Sequence, residues 1–151
     1  MADRVQAALA ALLRRREPDG HVLLELERGS DDAVDAMCAL LDRERLSPRQ
    51  QGRLLKGLSH AVKHAGPRAH LRVVKAALAR LDTADVALRS RAAHSAVCGV
   101  RIVAHLRDPS FQIDLTAMRA RVALAVRRAA DLGLHTPTDA LVTEFLREVD
   151  G

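Results

Sequence analysis

LSPRQQGRLLKGLSHAVKHAGPRAHLRVVKAALARL, residues 46–81, contains two helix starts and no carboxylate. Ser47-Pro48 is a capping hydroxyl followed by proline at the first helical position, where a missing N–H leaves nothing unsatisfied. Gly66-Pro67 breaks the chain and restarts it. Between the two breaks, Leu54, Leu55, Leu58, Ala61 and Val62 share one side of a helix over 48–64. The helix that follows, 67–81, buries Leu71, Val74, Leu78 and Leu81. Both helices need partners to cover their apolar sides.

The chain outside this stretch supplies those partners. A first helix over 3–16 carries Val5, Leu9, Leu12 and Leu13 as one stripe, with Arg14, Arg15 and Arg16 at its C-terminal carbonyls. Glu17-Pro18-Asp19-Gly20 is a turn. Residues 21–28 alternate like a strand at Val22, Leu24 and Leu26, but Leu23 breaks the alternation and a lone strand has no partner, so a short helix is expected. Gly29-Ser30 is expected to stop it and to cap a helix over 31–45. After residue 81, Thr83 is the expected N-cap of the longest helix, 84–106, which is apolar on two sides and therefore packed between neighbours. Asp108-Pro109-Ser110 ends it. Helices over 114–133 and 137–149 follow, the second started by Thr136-Pro137 and acidic outside at Asp139, Glu144, Glu148 and Asp150.

Seven or eight helices joined by short turns make antiparallel neighbours. The expected fold class is all-α, stacked antiparallel helical hairpins in one domain over 1–151. Two of the hairpins, 31–64 and 67–106, look alike: their first helices start 36 residues apart and so do their second helices. On this spacing and on the breaks at Ser47-Pro48, Gly66-Pro67, Asp82-Thr83 and Asp108-Pro109, residues 31–149 resemble HEAT or armadillo-type helical repeats. The other expectation is a related helical bundle without repeats. The resemblance implies a right-handed solenoid whose second helices line a concave, ligand-binding face.

Composition bounds the function. The net charge is +5, and most of the basicity is arginine. An Ala- and Arg-rich chain also fits a bacterial protein from a GC-rich genome, so the position of the charge says more than its total. Residues 31–45 hold five carboxylates against two arginines, 46–81 hold eight Arg and Lys and no carboxylate, and 136–151 hold one arginine against four carboxylates. Cys38 and Cys98 sit among apolar neighbours and read as reduced thiols of a cytoplasmic protein without a secretory signal. No stretch is apolar enough for a membrane span.

The chemistry follows the basic stretch. On helix 48–64, Arg49, Arg53, Lys56, His60 and Lys63 recur at steps of 4, 3, 4 and 3, one continuous stripe. Arg68, Arg72 and Lys75 show on the next helix, and Arg91, His94, Cys98, Arg101 and His105 form a strip on 84–106. If helices 48–64 and 84–106 lie side by side, their stripes join into a cationic groove. Such a groove attracts an acidic protein partner or a phosphate backbone. The alternative is an ordinary solvated face. The chain has no Tyr and no Trp, which disfavours single-stranded nucleic acid, since that is bound by stacking.

His60 and His64, one turn apart, could share a metal with His70, but no carboxylate accompanies them and the surrounding cations repel an ion. No metal and no cofactor is expected. Leu46-Ser47-Pro48-Arg49-Gln50 resembles the opening of helix-turn-helix domains in sigma-factor-like and response-regulator families, yet helix 48–64 runs on without their tight turn. There is no glycine-rich phosphate loop, and Ser59 and Ser95 lie beside His60 and His94 in sequence without facing them. The expectation is therefore a non-enzymatic interaction module docking an acidic protein, with duplex backbone binding as the alternative. A homo-oligomer is compatible with either.

Overall fold

Residues 2–14, 20–43, 45–106, 114–129 and 140–151 are described in the computed structural model. They form seven helices and no strand: α1 (Ala2–Arg14), α2 (Gly20–Arg43), α3 (Pro48–Ala61), α4 (Pro67–Leu78), α5 (Val86–His105), α6 (Leu115–Ala129) and α7 (Ala140–Asp150). The all-α class is as the sequence led us to expect. The breaks at Glu17–Gly20, Asp108–Ser110 and Thr136-Pro137, with Phe111, Ile113, Leu132 and Gly133, lie wholly or largely outside the described residues.

The start of α3 is the one the sequence announces. Gln50 N donates to Ser47 Oγ at 3.2 Å, and Ser47 N donates to Gln50 Oε1 at 3.0 Å, a reciprocal capping box ahead of Pro48. Pro67 likewise opens α4. The start of α5 differs: Asp85, not Thr83, is its N-cap, and its carboxylate accepts from Leu88 N at 2.8 Å. A carboxylate there meets both the free N–H groups and the positive end of the helix dipole. Thr83 Oγ1 supports the turn instead, accepting from Asp85 N at 3.2 Å.

The larger departure is at Gly29-Ser30. No break occurs there; α2 is one continuous helix of 24 residues, so 21–28 is helical and position 30 lies inside the helix rather than at its start. Gly29 is buried, and a Cβ on it would lie 2.7 Å from Val5 Cγ2. The glycine lets α1 approach α2 closely rather than ending the helix. Its propensity cost of about 1 kcal/mol is offset by the core face that the long helix buries, from Val22 and Leu26 to Val34, Met37 and Leu41. Because α2 begins at Gly20 and α5 at Val86, the helix starts do not keep the equal 36-residue spacing.

The helices nonetheless pair as hairpins. α2 packs antiparallel on α3, and α4 packs along α5. α4 and α5 approach closely at Gly99, where a Cβ would stand 2.5 Å from Val74 Cγ2 and 3.3 Å from the His70 carbonyl. α2 and α4 run side by side, linked by Arg72 Nη1 to Asp35 Oδ1 at 2.5 Å and by Arg80 Nη2 to the Leu41 carbonyl at 3.0 Å, bonds that span 37 and 39 residues. α3 and α5 are neighbours in the second layer, with Gly52 against Leu88. α1 covers α2 and α3, while α6 and α7 cover α5. One apolar cluster runs through all of them, from Val5 and Leu12 through Leu54, Leu58, Val74, Ala96 and Val100 to Val126 and Phe145.

Several arginines hold this stack together by capping neighbouring helices. Arg53 is only 8% exposed, and its Nη1 donates to the Leu13 carbonyl in the last turn of α1 at 3.1 Å. Arg80 donates to the Leu41 carbonyl near the end of α2, to the Ala76 carbonyl near the end of α4 at 2.9 Å, and to Gln51 Oε1 of α3 at 3.1 Å. Arg89 is 1% exposed and donates to the Thr83 carbonyl in the turn before α5. The last carbonyls of a helix have no internal donor and carry its negative end, so a cation with several N–H groups suits them. This accounts for part of the arginine content by structure alone.

Candidate docking face

The candidate cations divide into three places. Arg49, Lys56, His60 and Lys63 lie along the outer side of α3, exposed or half-exposed. Arg53, read as a member of the same stripe, turns away from it toward α1 and is buried. The reason is angular: residue 53 sits at the α1 edge of the stripe, just as Gly52 sits at the α5 edge. Arg91, His94, Arg101 and His105 lie along the outer side of α5, next in the same layer. Arg68, Arg72 and Lys75 are exposed on α4, in the other layer. Arg72 and Lys75 line a groove of about 240 Å³ between α4 and α2, together with Cys38, Asp42 and Arg80.

The α3 and α5 strips lie on adjacent helices. His60 feels Lys56 and Lys63 on its own helix and Arg91 across on α5, with Glu27 of α2 opposing them. Burial first, and these cations next, hold its imidazole below the ordinary value of 6.5. Among the described residues, no carboxylate lies within 4.0 Å of Arg49, Lys56 or Arg91. Carboxylates of the described residues meet the strip at two ends. At one, Glu27 Oε1 stands 2.8 Å from His64 Nε2 and 3.9 Å from Lys63 Nζ. At the other, Arg101 Nη2 reaches Glu148 Oε1 at 2.7 Å and Glu144 Oε1 at 3.8 Å, both on α7. The acidic C-terminal helix thus lies against α5 and α6.

Two residues of the face are less obvious. His94 Nε2 lies 3.5 Å from Cys98 Sγ, both half-buried in the α5 strip. Ile102, 39% exposed, follows Cys98 by one turn on the same side. The sequence carried its signal, since 91, 94, 98, 102 and 105 share one helical phase. Ala104 and Leu106, at the end of α5, are exposed too.

Among the described residues the histidines do not assemble a metal site. His64 pairs with Glu27, while His70 is 2% exposed inside the core, its imidazole held low by burial. No group of three His, Cys, Asp or Glu able to hold an ion occurs among the described residues. Cys38, half-buried in the α2–α4 groove, has its thiol pushed up by burial and is therefore a poor nucleophile. No helix of the described residues is long and apolar enough to cross a membrane. No protein-family model matches this chain, and neither a curated protein nor a solved structure matches it significantly.

Proposed function

We propose that the chain is a non-enzymatic interaction module that docks an acidic protein partner on the outer side of α3 and α5. The observation that carries this reading is the run Arg49, Lys56, His60 and Arg91. It crosses two adjacent helices with no carboxylate of the described residues within ion-pair distance of Arg49, Lys56 or Arg91, while the face is neutralised at both ends. Like-charged groups held together on a rigid surface raise the local potential and speed encounter with an acidic partner. The same reading takes the stack as an irregular solenoid of the HEAT or armadillo type. Side-by-side pairing of α2 with α4 and of α3 with α5, at similar sequence steps, supports it.

The test is capture from native extract by the intact chain and by a Lys56→Glu/Arg91→Glu variant. A partner should survive nuclease treatment, elute with salt and be lost to the double variant at unchanged helicity. Retention of the partner by the variant would remove the face from the mechanism. Arg53 must be left intact, because reversing its charge would bury a carboxylate against the Leu13 carbonyl and unfold α1 from α3. Duplex backbone binding by the same cations is the competing function. It would appear as a nuclease-sensitive complex whose affinity falls steeply with salt.

A further inference from the structure

The docking face is not purely cationic. On α5, Cys98 and the exposed Ile102 stand between Arg91 and His94 at one end and His105 at the other. A surface serving only a phosphate backbone gains nothing from an exposed isoleucine in its middle, whereas an amphipathic partner can bury it.

The fold itself shows how α5 receives a helix of opposite charge. α7 sends Val142 and Phe145 into the core, and its Glu144 and Glu148, one turn apart, both face Arg101. Arg119 adds to the arrangement, its guanidinium 3.8 Å from Glu148 Oε2 and 5.9 Å from the Phe145 ring centre. Apolar residues inward and carboxylates four apart on a guanidinium are thus a mode that this surface already uses on one flank. Beside it, Arg91 and Ile102 on α5 and Lys56 and His60 on α3 repeat the same ingredients at the surface.

We infer that the partner element is an acidic amphipathic helix, laid along α5 next to α7. Its apolar stripe covers Cys98 and Ile102, and its carboxylates, at i and i+4, meet Arg91 and Lys56. This rests on the docking function proposed above and specifies what docks. A helix presents both groups at fixed spacing, which an unstructured acidic segment cannot do without losing entropy on ordering.

The probes are two synthetic peptides of identical composition, offered to the full chain in a fluorescence-anisotropy titration. One is a stapled amphipathic helix with Leu on one face and Glu pairs at i and i+4; the other is the same composition scrambled, with no apolar face. The helix should bind at least about tenfold tighter than the scrambled peptide, and Ile102→Ser should lower its affinity by about tenfold. The scrambled peptide should not sense Ile102→Ser. Because Ile102 is exposed, circular dichroism and Tm of that variant should match those of the parent. Equal affinity for the two peptides, or an unchanged affinity after Ile102→Ser, overturns the helical partner and leaves the acidic docking face standing. Failure of both peptides to bind, or duplex DNA binding more tightly than the helix, overturns the face as well.

Discussion

At the scale of single residues, two glycines on helices of the second layer have opposite meanings. A Cβ on Gly52 would meet Leu88 Cδ1 at 3.9 Å, an ordinary van der Waals contact. Alanine there removes the conformational freedom of glycine in the unfolded chain at no steric cost. Gly52→Ala should therefore stabilise the protein by about 0.5–1 kcal/mol in urea unfolding. Gly99 is the seam of α4 and α5, and a Cβ would meet a β-branched Val74 that cannot turn aside cheaply. Gly99→Ala should cost about 1–3 kcal/mol in the same measurement. His70 adds a pH dependence of known sign. Its folded-state pKa lies below 6.5 because burial disfavours the imidazolium. Its contribution is thus fully present above pH 6.5 and is lost as pH falls from there through the folded value, since the unfolded chain binds the proton first. Tm should drop on acidification across that range, and His70→Gln should flatten the drop; an equally steep profile would shift the cause elsewhere.

At the scale of elements, the helix ends decide more than the helix interiors. Arg80 ties the last turns of α2 and α4 to the first turn of α3 through three separate nitrogens. Burial lowers its pKa, yet the guanidinium remains charged at any ordinary pH. Arg80→Ala should destabilise by about 2 kcal/mol or more, since each bond from a charged donor is worth about 1.5–3 kcal/mol in isolation and the carbonyls left behind are half-buried. Arg80→Lys should recover less than half of that loss, because an ammonium cannot fork to carbonyls on two helices. Thermal or urea unfolding of the two variants checks both statements; equal stability of Lys and Arg would reduce the residue to a point charge.

At the scale of the whole molecule, the proposed docking function predicts that folding and docking respond differently to salt. The ion pairs within the stack, such as Arg72–Asp35 and Arg101–Glu148, are exposed or half-exposed and individually contribute about 0–1 kcal/mol. Raising ionic strength from about 0.05 M to about 0.5 M shortens the screening length to a few ångströms. Tm should change by no more than a few degrees, while affinity for an acidic partner should fall about tenfold or more. A parallel loss of both would mean that the cations serve the fold and not a face.

The all-helical class, the breaks at Ser47-Pro48 and Gly66-Pro67, and the cationic phase of α3 and α5 were determined by the sequence alone. Each depends on local chemistry: a hydroxyl and a proline at a helix start, or a period of 3.6 residues. Tertiary structure decided the rest. Whether Gly29 ends a helix or admits a neighbour depends on Val5, which is far away in sequence. Whether an arginine is a ligand-facing cation or a cap depends on which carbonyl lies in reach, so Arg49 and Arg53 share a stripe in sequence yet face solvent and Leu13 respectively. The adjacency of α3 and α5 is likewise a matter of packing between helices that local periodicity does not encode.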